Sequence, residues 1–327
     1  MNLYEQQAAN RRRTWLIMFV FVVFLVLLGL GFDAFYLNTV GGFPFGTIVA
    51  LGVGSVSAFA SYFGGDRAVL LASGATPVAE VEATADEAGR LKLRQLENVV
   101  DEMAIASGLP RPPVYIVPDP DPNAFATGRG PGHSSIAVTR GLLDALNRDE
   151  LQGVIAHEMS HIRNLDVRLM TIVAALVGGV ALLSDWGRRG MWWGGGGRRR
   201  DDEESGGSGA IGLVFFVLWL IGIVIAPLVA QALAMLVSRK REYLADASGA
   251  ELTRNPMGLA SALQKIDNAS APTQSINRGS AHLCIADPLG RPMNLKEGFL
   301  SDMFASHPPM AARIAALKAM AFQGGGQ

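Results

Sequence analysis

Apolar residues are concentrated in long runs at a few places along this chain and are not spread evenly through it. The first run, at 14–32, is uncharged, follows three consecutive arginines and is about as long as a helix needs to be to cross a bilayer. The second, at 43–63, is rich in Gly, Ala and Ser, which favour close helix packing in lipid. Together they predict a transmembrane hairpin over residues 1–64, with both ends on the arginine-rich, cytoplasmic side.

A second hydrophobic pair is predicted over residues 169–237. Its first run, 169–184, is short for a membrane span, whereas its second run, 210–237, is ample. The loop between them is rich in Gly, Arg and Asp. If both runs cross, its arginines lie outside, against the usual cytoplasmic bias of Lys and Arg. We expect four spans in all, and a pair that only dips into the membrane is the alternative.

The remaining sequence has the periodicity of soluble structure, in two stretches at 65–168 and 238–327. An apolar stripe of helical spacing starts at Leu93 and ends near Gly108. The other predicted elements are short strands at 114–117, 125–127 and 135–139 and helices at 259–266 and 310–320. We therefore expect a mainly α, α+β protein with a small β-sheet, in which the two soluble stretches form one catalytic domain split by the second hydrophobic pair.

Composition narrows the possible functions. Half of the 327 residues are hydrophobic and only 17% are charged, which is typical of a membrane protein when the apolar residues lie in runs. The formal net charge of −1 leaves no basic surplus for a nucleic-acid partner, and no G-x-x-x-x-G-K-[ST] loop is present for a nucleotide. Cys284 is the only cysteine, which excludes an intramolecular disulfide and fits a reducing compartment.

The most specific motif is H-E-M-S-H, which places His157 and His161 four residues apart on a predicted helix. Imidazoles at that spacing project from the same face, so both can bind one Zn²⁺. Glu158 then lies close enough to act on a water molecule at the metal. Asn147 is the predicted N-cap of this helix, with Glu150 as its capping-box partner.

A catalytic zinc site needs a third protein ligand and an open position for water. Glu242 and Asp246 are four residues apart in R-K-R-E-Y-L-A-D, so their carboxylates share one helix face. We interpret Glu242 as the third ligand and Asp246 as a carboxylate that orients a ligating imidazole. The alternative is a solvated acidic face beside a basic run.

With these motifs in place, the chain resembles the HtpX family of membrane zinc metalloproteases, which are related to prenyl-CAAX endopeptidases. The likeness runs in the family's order from about residue 16 to about residue 317 and covers far more than the two metal motifs. Its further matching stretches are Asn123-Ala124-Phe125-Ala126-Thr127-Gly128, Ala281-His282-Leu283 with Asp287-Pro288-Leu289, and Ser306-His307-Pro308-Pro309 with Arg313.

The resemblance implies a zincin-like catalytic domain with one Zn²⁺ per chain, embedded in a bacterial inner membrane as a multi-pass protein with a cytoplasmic active site. It implies that His307 or Arg313 stabilises the oxyanion. It also implies that a substrate peptide adds as a β-strand to an exposed edge. The residues of that edge are Asn123, Ala124, Phe125 and Ala126. The alternative for these four residues is an ordinary buried hairpin.

The substrates implied by the resemblance are damaged or misfolded membrane proteins, as part of a stress response that does not use ATP. Two other functions remain open. One is a prenyl-protein type of processing protease. The other is a non-catalytic membrane scaffold stabilised by zinc, against which Glu158 argues, because a structural zinc site needs no general base.

Overall fold

The computed structural model describes residues 3–35, 43–176, 239–269, 273, 275, 283–286 and 308–324. Most of the predicted second hydrophobic pair therefore lies outside the described residues, and so does His307. The membrane topology of that pair, with four spans or two, stays a prediction.

Two long helices form the amino-terminal hairpin, α1 (Leu3–Phe35) and α2 (Phe45–Ala72). Asp33 joins the end of α1 to the start of α2, because its carboxylate accepts hydrogen bonds from the backbone amides of Gly46 at 2.6 Å and Thr47 at 2.7 Å. These amides belong to the first turn of α2, where backbone N–H groups have no partner within the helix. A carboxylate is a favourable acceptor at this end of a helix.

Large apolar side chains cover the outer surface of this hairpin. Trp15, Leu16 and Phe19 on α1 and Val56 and Phe59 on α2 are all at least 59% exposed. Among the described residues, α2 is the one helix that is long and apolar enough to cross a membrane, as judged by length and composition. The predicted crossing of the first apolar run stays a prediction, although α1 presents the same kind of surface.

A small mixed sheet follows the hairpin. Its strands are β1 (Thr76–Pro77), β2 (Val114–Val117), β3 (Ala124–Gly128) and β4 (Ser134–Thr139). Their spatial order is β1-β2-β4-β3, with β2 parallel to β4 and β3 antiparallel to β4. The predicted strands are confirmed, each to within one residue, and β3 lies at the edge of the sheet.

The helices of the catalytic domain pack against this sheet and against one another. They are α3 (Val78–Thr84), α4 (Glu87–Ser107), α5 (Arg140–Ala145), α6 (Arg148–Arg163), α7 (166–176), α8 (Arg239–Thr253), α9 (Pro256–Asp267) and α10 (Met310–Gly324). The predicted end of the first amphipathic helix is confirmed, since Gly108 follows α4 with φ +68° in the left-handed conformation that glycine adopts easily.

Helix α6 lies at the centre of the domain. It is buried along almost its whole length, and Val154, Ile155 and Met159 are each 0% exposed. One continuous apolar core joins these residues to side chains of α4, α9 and α10. Gly153 brings α9 close, because a Cβ at this position would lie 2.8 Å from the backbone of Leu259. The fold thus surrounds the H-E-M-S-H segment with elements from both soluble stretches.

Candidate active site

The start of α6 is fixed by the predicted capping box. Asn147 accepts a hydrogen bond from the Glu150 amide at 3.0 Å, and Glu150 accepts one from the Asn147 amide at 2.8 Å. Glu150 also accepts hydrogen bonds from Ser261 at 2.6 Å and from Lys265 at 2.7 Å, both on α9. These contacts hold the first turn of α6 against α9. They therefore help to fix the rotation of α6 about its axis, and with it the direction in which His157 and His161 project.

His157 and His161 lie one turn apart with their rings edge to face. Their Nε2 atoms are 3.2 Å from each other, and both side chains are buried. Glu242 completes the cluster, with its carboxylate oxygens 3.7 Å from His157 Nε2 and 3.6 Å from His161 Nε2. The three side chains predicted as metal ligands therefore converge in space, and one ligand atom from each lies within 4.8 Å of the others.

Helix α8 reaches this cluster because it carries small residues on the face that meets α6. A Cβ on Gly249 would lie 3.1 Å from the His157 amide nitrogen, so only a glycine allows the two backbones to approach this closely without a shift. Ala245 is completely buried on the same face. Glu242 lies two turns and Asp246 one turn before Gly249, and the close approach brings both carboxylates to the imidazoles.

Asp246 contacts the outer nitrogen of the first histidine. Its Oδ1 lies 3.0 Å from His157 Nδ1, which leaves Nε2 directed toward His161 and Glu242. A carboxylate on one ring nitrogen fixes the tautomer in which the other nitrogen carries a free lone pair. This is the arrangement predicted from the four-residue spacing of Glu242 and Asp246.

Arg313 lies behind Asp246 and is completely buried. Its Nε and Nη2 donate to the two oxygens of Asp246 at 2.8 and 2.7 Å, while Nη1 donates to the Ile285 carbonyl at 2.8 Å and lies 3.4 Å from Glu242 Oε2. All three guanidinium nitrogens therefore face acceptors within the protein. This geometry favours a role in holding Asp246 and Glu242 rather than the predicted donation to a substrate oxyanion.

Asp246 is kept ionised by that guanidinium. Burial alone would raise the pKa of Asp246, but the charge of Arg313 and its hydrogen bonds outweigh burial and lower the pKa to about 2. The same ion pair raises the pKa of Arg313 above its ordinary value despite burial. The pair is therefore charged near neutral pH.

Asp166 occupies the corresponding position beside the second histidine. Its Oδ2 lies 3.4 Å from His161 Nδ1, and the side chain is 0% exposed. No sequence motif predicted a role for this residue. It follows His161 by five positions across the end of α6, so no helical periodicity relates the two side chains.

Glu158 differs from the other acidic side chains at the site, because no lysine or arginine among the described residues forms an ion pair with it. It is 1% exposed, and neither of its oxygens accepts a well-formed hydrogen bond from the described residues. Burial raises the pKa of Glu158 to about 7, and the charge of Glu242 adds to this rise. The charge of His161 and the nearby Ala126 amide offset part of it. A carboxyl group with a pKa near neutrality suits a general base and acid.

The predicted substrate strand lies next to Glu158, but its outer edge is not open in this structure. The Ile285 amide donates to the Ala124 carbonyl at 2.9 Å, and Phe125 forms an antiparallel bridge with Cys284. Farther along, the Gly128 amide donates to the Thr171 hydroxyl at 2.9 Å. A peptide that adds to β3 beside Glu158 must therefore displace residues 284–285.

Asn123 anchors the beginning of that strand and does not project into the open. It is 0% exposed, and its Nδ2 donates to Thr273 and to the Ala286 carbonyl, each at 3.2 Å. Its Oδ1 accepts a hydrogen bond from the Ala124 amide at 3.0 Å. Asn123 therefore joins β3 to the segment 283–286, which is a supporting role distinct from the predicted contact with substrate.

The residues at this site fit a zinc ion. Two imidazole nitrogens and one carboxylate, all buried and convergent, form a donor set that zinc hydrolases use with the fourth position left for water. Each imidazole has a carboxylate at its outer nitrogen, namely Asp246 for His157 and Asp166 for His161. Such outer partners are typical of histidines that bind metals.

Comparison with known proteins agrees with this architecture. The family model for Peptidase family M48 matches residues 90–321. The chain is 42% identical over 318 residues to the "Protease HtpX homolog" of Streptococcus gordonii, which covers 97% of this chain and 100% of that relative. The homolog of the same name from Caldanaerobacter subterraneus subsp. tengcongensis is also 42% identical over 318 residues, covering 97% of this chain and 98% of the relative.

Among solved structures, the crystal structure of S. mikatae Ste24p aligns with a TM-score of 0.47 at 19% identity, covering 96% of this chain and 67% of that one. The resemblance to a protease family is therefore confirmed from the sequence comparisons, and the helical architecture with a small sheet agrees with it. The chain belongs to peptidase family M48 and is a membrane-associated protease of the HtpX type.

Proposed function

We propose that this protease is a zinc-dependent endopeptidase in which His157, His161 and Glu242 bind the metal. The observation that carries the proposal is that three ligand atoms converge beside the carboxylate of Glu158, which is buried and accepts no well-formed hydrogen bond from the described residues. A site that only stabilised the fold would usually close with four protein ligands and would not need such a carboxylate.

The mechanism assigns one step to each side chain. A bound Zn²⁺ would lower the pKa of water and polarise the carbonyl of the scissile peptide bond. Glu158 accepts the proton of the attacking water and then delivers it to the leaving amine, which its raised pKa permits near neutral pH. Asp246 keeps His157 in the tautomer that presents Nε2 to the metal, and Arg313 keeps Asp246 ionised.

Peptide binding is proposed at the edge of β3, at Ala124, Phe125 and Ala126. Support comes from the position of this strand at the end of the sheet, next to Glu158. An extended peptide that pairs with an edge strand gains main-chain hydrogen bonds. Pockets that accept every second side chain of the peptide provide specificity. Residues 284–285 form these contacts now, so we propose that they leave the edge when a substrate binds.

The proposed setting is a bacterial inner membrane with the catalytic domain on the cytoplasmic side. The arginines that precede the first apolar run support this orientation, since cytoplasmic flanks carry an excess of Lys and Arg. We propose damaged or misfolded membrane proteins as substrates, cleaved without ATP, in keeping with the missing phosphate-binding loop in the sequence. His307 keeps its predicted role near the oxyanion as a proposal.

The decisive experiment replaces Glu158 by glutamine and measures metal content and peptidase activity together. We expect Glu158→Gln to retain about one Zn²⁺ per chain, because the ligands are unchanged. Its kcat should fall by roughly 10²–10⁴-fold, the usual contribution of general acid–base catalysis. Glu242→Ala should lose both metal and activity.

A matched control is Glu251→Gln, which makes the same chemical change at an exposed position of α8. It should behave like the wild type in both measurements. If Glu158→Gln cleaves peptides at the wild-type rate, the scaffold hypothesis or a different base must replace this mechanism. A fresh, active preparation that contains no transition metal would remove the zinc proposal itself.

A further inference from the structure

Helix α1 packs its polar end against the carboxyl end of the helix that carries both histidines. Gln7, Asn10 and Thr14 are spaced by three and four residues and so share one face of α1. Asn10 and Thr14 are each 1% exposed. This polar face lies on a helix that elsewhere exposes large apolar side chains, and a buried amide is costly unless it is hydrogen-bonded.

The amides of this face satisfy the last carbonyl groups of α6. Gln7 Nε2 donates to the Arg163 carbonyl at 2.8 Å, and Asn10 Nδ2 donates to the Asn164 carbonyl at 3.0 Å. The final carbonyls of a helix have no partner within it and need hydrogen-bond donors from elsewhere. Helix α1 therefore completes the end of α6 only two residues beyond His161.

A two-residue turn follows at 164–165. Leu165 has φ +60°, a left-handed conformation that is uncommon for any residue other than glycine. α7 begins immediately afterwards, at 166, and the Asp166 carboxylate lies beside the last turn of α6. One oxygen, Oδ2, lies 3.4 Å from His161 Nδ1. The other, Oδ1, accepts a hydrogen bond from Asn10 Nδ2 at 2.7 Å and lies 3.6 Å from Arg241 Nη1.

We propose that Asp166 is the positioning residue for His161 and that Asn10 of the amino-terminal helix holds Asp166 in place. The inference rests on the proposed zinc site. His161 can present Nε2 to a metal only when Nδ1 carries the proton, and a carboxylate at Nδ1 selects that tautomer and orients the ring. Asp246 does the same for His157 from the opposite side. Helix α1 thus supports the metal site as well as forming half of the amino-terminal hairpin.

Gln7 offers a matched comparison for Asn10. Both amides lie on the same face of α1 and donate to carbonyls at the end of α6. Only Asn10 also donates to Asp166. A variant of Gln7 therefore loses a helix-to-helix hydrogen bond without touching the metal site, whereas a variant of Asn10 loses both kinds of contact.

The test uses the full-length chain in detergent, stripped of metal and titrated with Zn²⁺ against a chelating indicator. Asp166→Asn should bind Zn²⁺ roughly 10–100-fold more weakly, as is usual when the carboxylate behind a ligating histidine is lost. Asn10→Ala should weaken binding by roughly 2–10-fold, the equivalent of one hydrogen bond. Gln7→Ala should bind Zn²⁺ as the wild type does.

Two further measurements separate positioning from general destabilisation. The Asn10→Ala change should cost little additional Zn²⁺ affinity when made in Asp166→Asn protein, because both act through the same carboxylate. At saturating Zn²⁺, Asn10→Ala and Asp166→Asn should lower kcat for a soluble peptide and leave KM unchanged. If the Asn10 contact only stabilised the fold, Asn10→Ala and Gln7→Ala would lower the Tm of the metal-free protein equally.

The inference is overturned if Asp166→Asn binds Zn²⁺ as tightly as Gln7→Ala does. Should Asp166→Asn fail to fold, the comparison of Asn10→Ala with Gln7→Ala decides, and equal affinities overturn the role of Asn10. A wild-type protein that does not bind Zn²⁺ would overturn the proposed function and this inference with it. A wild type that binds, together with unaffected variants, overturns this inference alone.

Discussion

The Glu158 side and the Asp246 side of the active site treat a buried carboxylate in opposite ways. On the Asp246 side, Arg313 donates two hydrogen bonds, and its charge outweighs burial, so the pKa of Asp246 falls to about 2. On the Glu158 side no described lysine or arginine forms an ion pair with the carboxylate, and neither of its oxygens accepts a well-formed hydrogen bond from the described residues. Burial there raises the pKa of Glu158 to about 7, and Glu242 adds to the rise.

The different surroundings of Glu158 and Asp246 suit these two carboxyl groups to different tasks. A carboxylate that never takes up a proton can orient an imidazole at any working pH. A carboxyl group whose pKa lies near neutrality can accept and release a proton during each turnover. Two acids whose surroundings push their pKa values apart are a general indication of such a division of roles. The Glu158 side also lies next to β3, where we propose that a peptide binds.

The largest effect is expected from locking the Glu158 side closed. Phe125 and Cys284 are directly opposite each other in an antiparallel bridge, and Cys284 is the only cysteine of the chain. Phe125→Cys should therefore form a disulfide with Cys284 on oxidation. If peptides bind by displacing residues 284–285 from β3, the oxidised protein should lose nearly all peptidase activity, and a reductant should restore it.

The control combines Phe125→Cys with Cys284→Ala. This protein carries the same substitution in the buried strand but cannot form the bond, so oxidant should leave its activity unchanged. Mass spectrometry of the oxidised single variant confirms that the disulfide has formed. Full activity of the cross-linked protein would show that substrates do not use this part of the β3 edge.

The second-largest effect, a loss of stability, is expected on the Asp246 side. Arg313→Met leaves the Asp246 carboxylate buried without its cation, and removing one partner of a buried ion pair typically costs about 3–5 kcal/mol. Unfolding by denaturant in detergent should report this loss. In the double variant Arg313→Met, Asp246→Asn the buried charge is gone, and part of the lost stability should return.

We also expect these substitutions to change the affinity for Zn²⁺. Because Asp246 orients His157, the double variant should keep a Zn²⁺ affinity roughly 10–100-fold below that of the wild type even where its stability recovers. An Arg313→Met protein as stable as the wild type would mean that Asp246 does not depend on Arg313. The opposite surroundings of the two carboxylates would then lose their structural basis.

Much of this site was predictable from local sequence rules. The capping box of Asn147 and Glu150 and the four-residue spacing of His157 and His161 are both confirmed, because each depends only on helix geometry within one element. The pairing of Glu242 with Asp246 follows from the same rule on a second helix. That the two helices meet was inferred from chemistry, since catalytic zinc needs a third ligand.

The contacts that the sequence did not predict join elements far apart in the chain. Asn10 and Asp166 are separated by 156 positions, and the positive φ of Leu165 that aims Asp166 has no signal in its residue type. Arg313 reads as a surface charge on an Ala-rich helix, yet it is fully buried by its ion pair. Ile285 covers part of the β3 edge through backbone hydrogen bonding, which side-chain identity does not specify.

The smallest expected effect concerns stability against pH in the metal-free protein, where Glu158 alone distinguishes the wild type from Glu158→Gln. Burial and the charge of Glu242 raise the pKa of Glu158 from 4.5 to about 7. A raised pKa means that the folded protein binds this proton more tightly than the unfolded chain does. The wild type should therefore lose stability relative to Glu158→Gln as the pH rises from about 4.5 to about 7.

Below pH 4.5 both states of the wild type carry the proton, so the two proteins should differ little. Above pH 7 the folded wild type must keep a buried, charged carboxylate. Glu158→Gln should then be the more stable protein by roughly 3 kcal/mol, the free energy that corresponds to the rise in pKa from 4.5 to about 7. Denaturant unfolding of both proteins at pH 4.5, 6 and 8 with chelator present measures this difference. A difference that does not change with pH would show that Glu158 is solvated or paired in the folded protein, and the contrast with Asp246 would disappear.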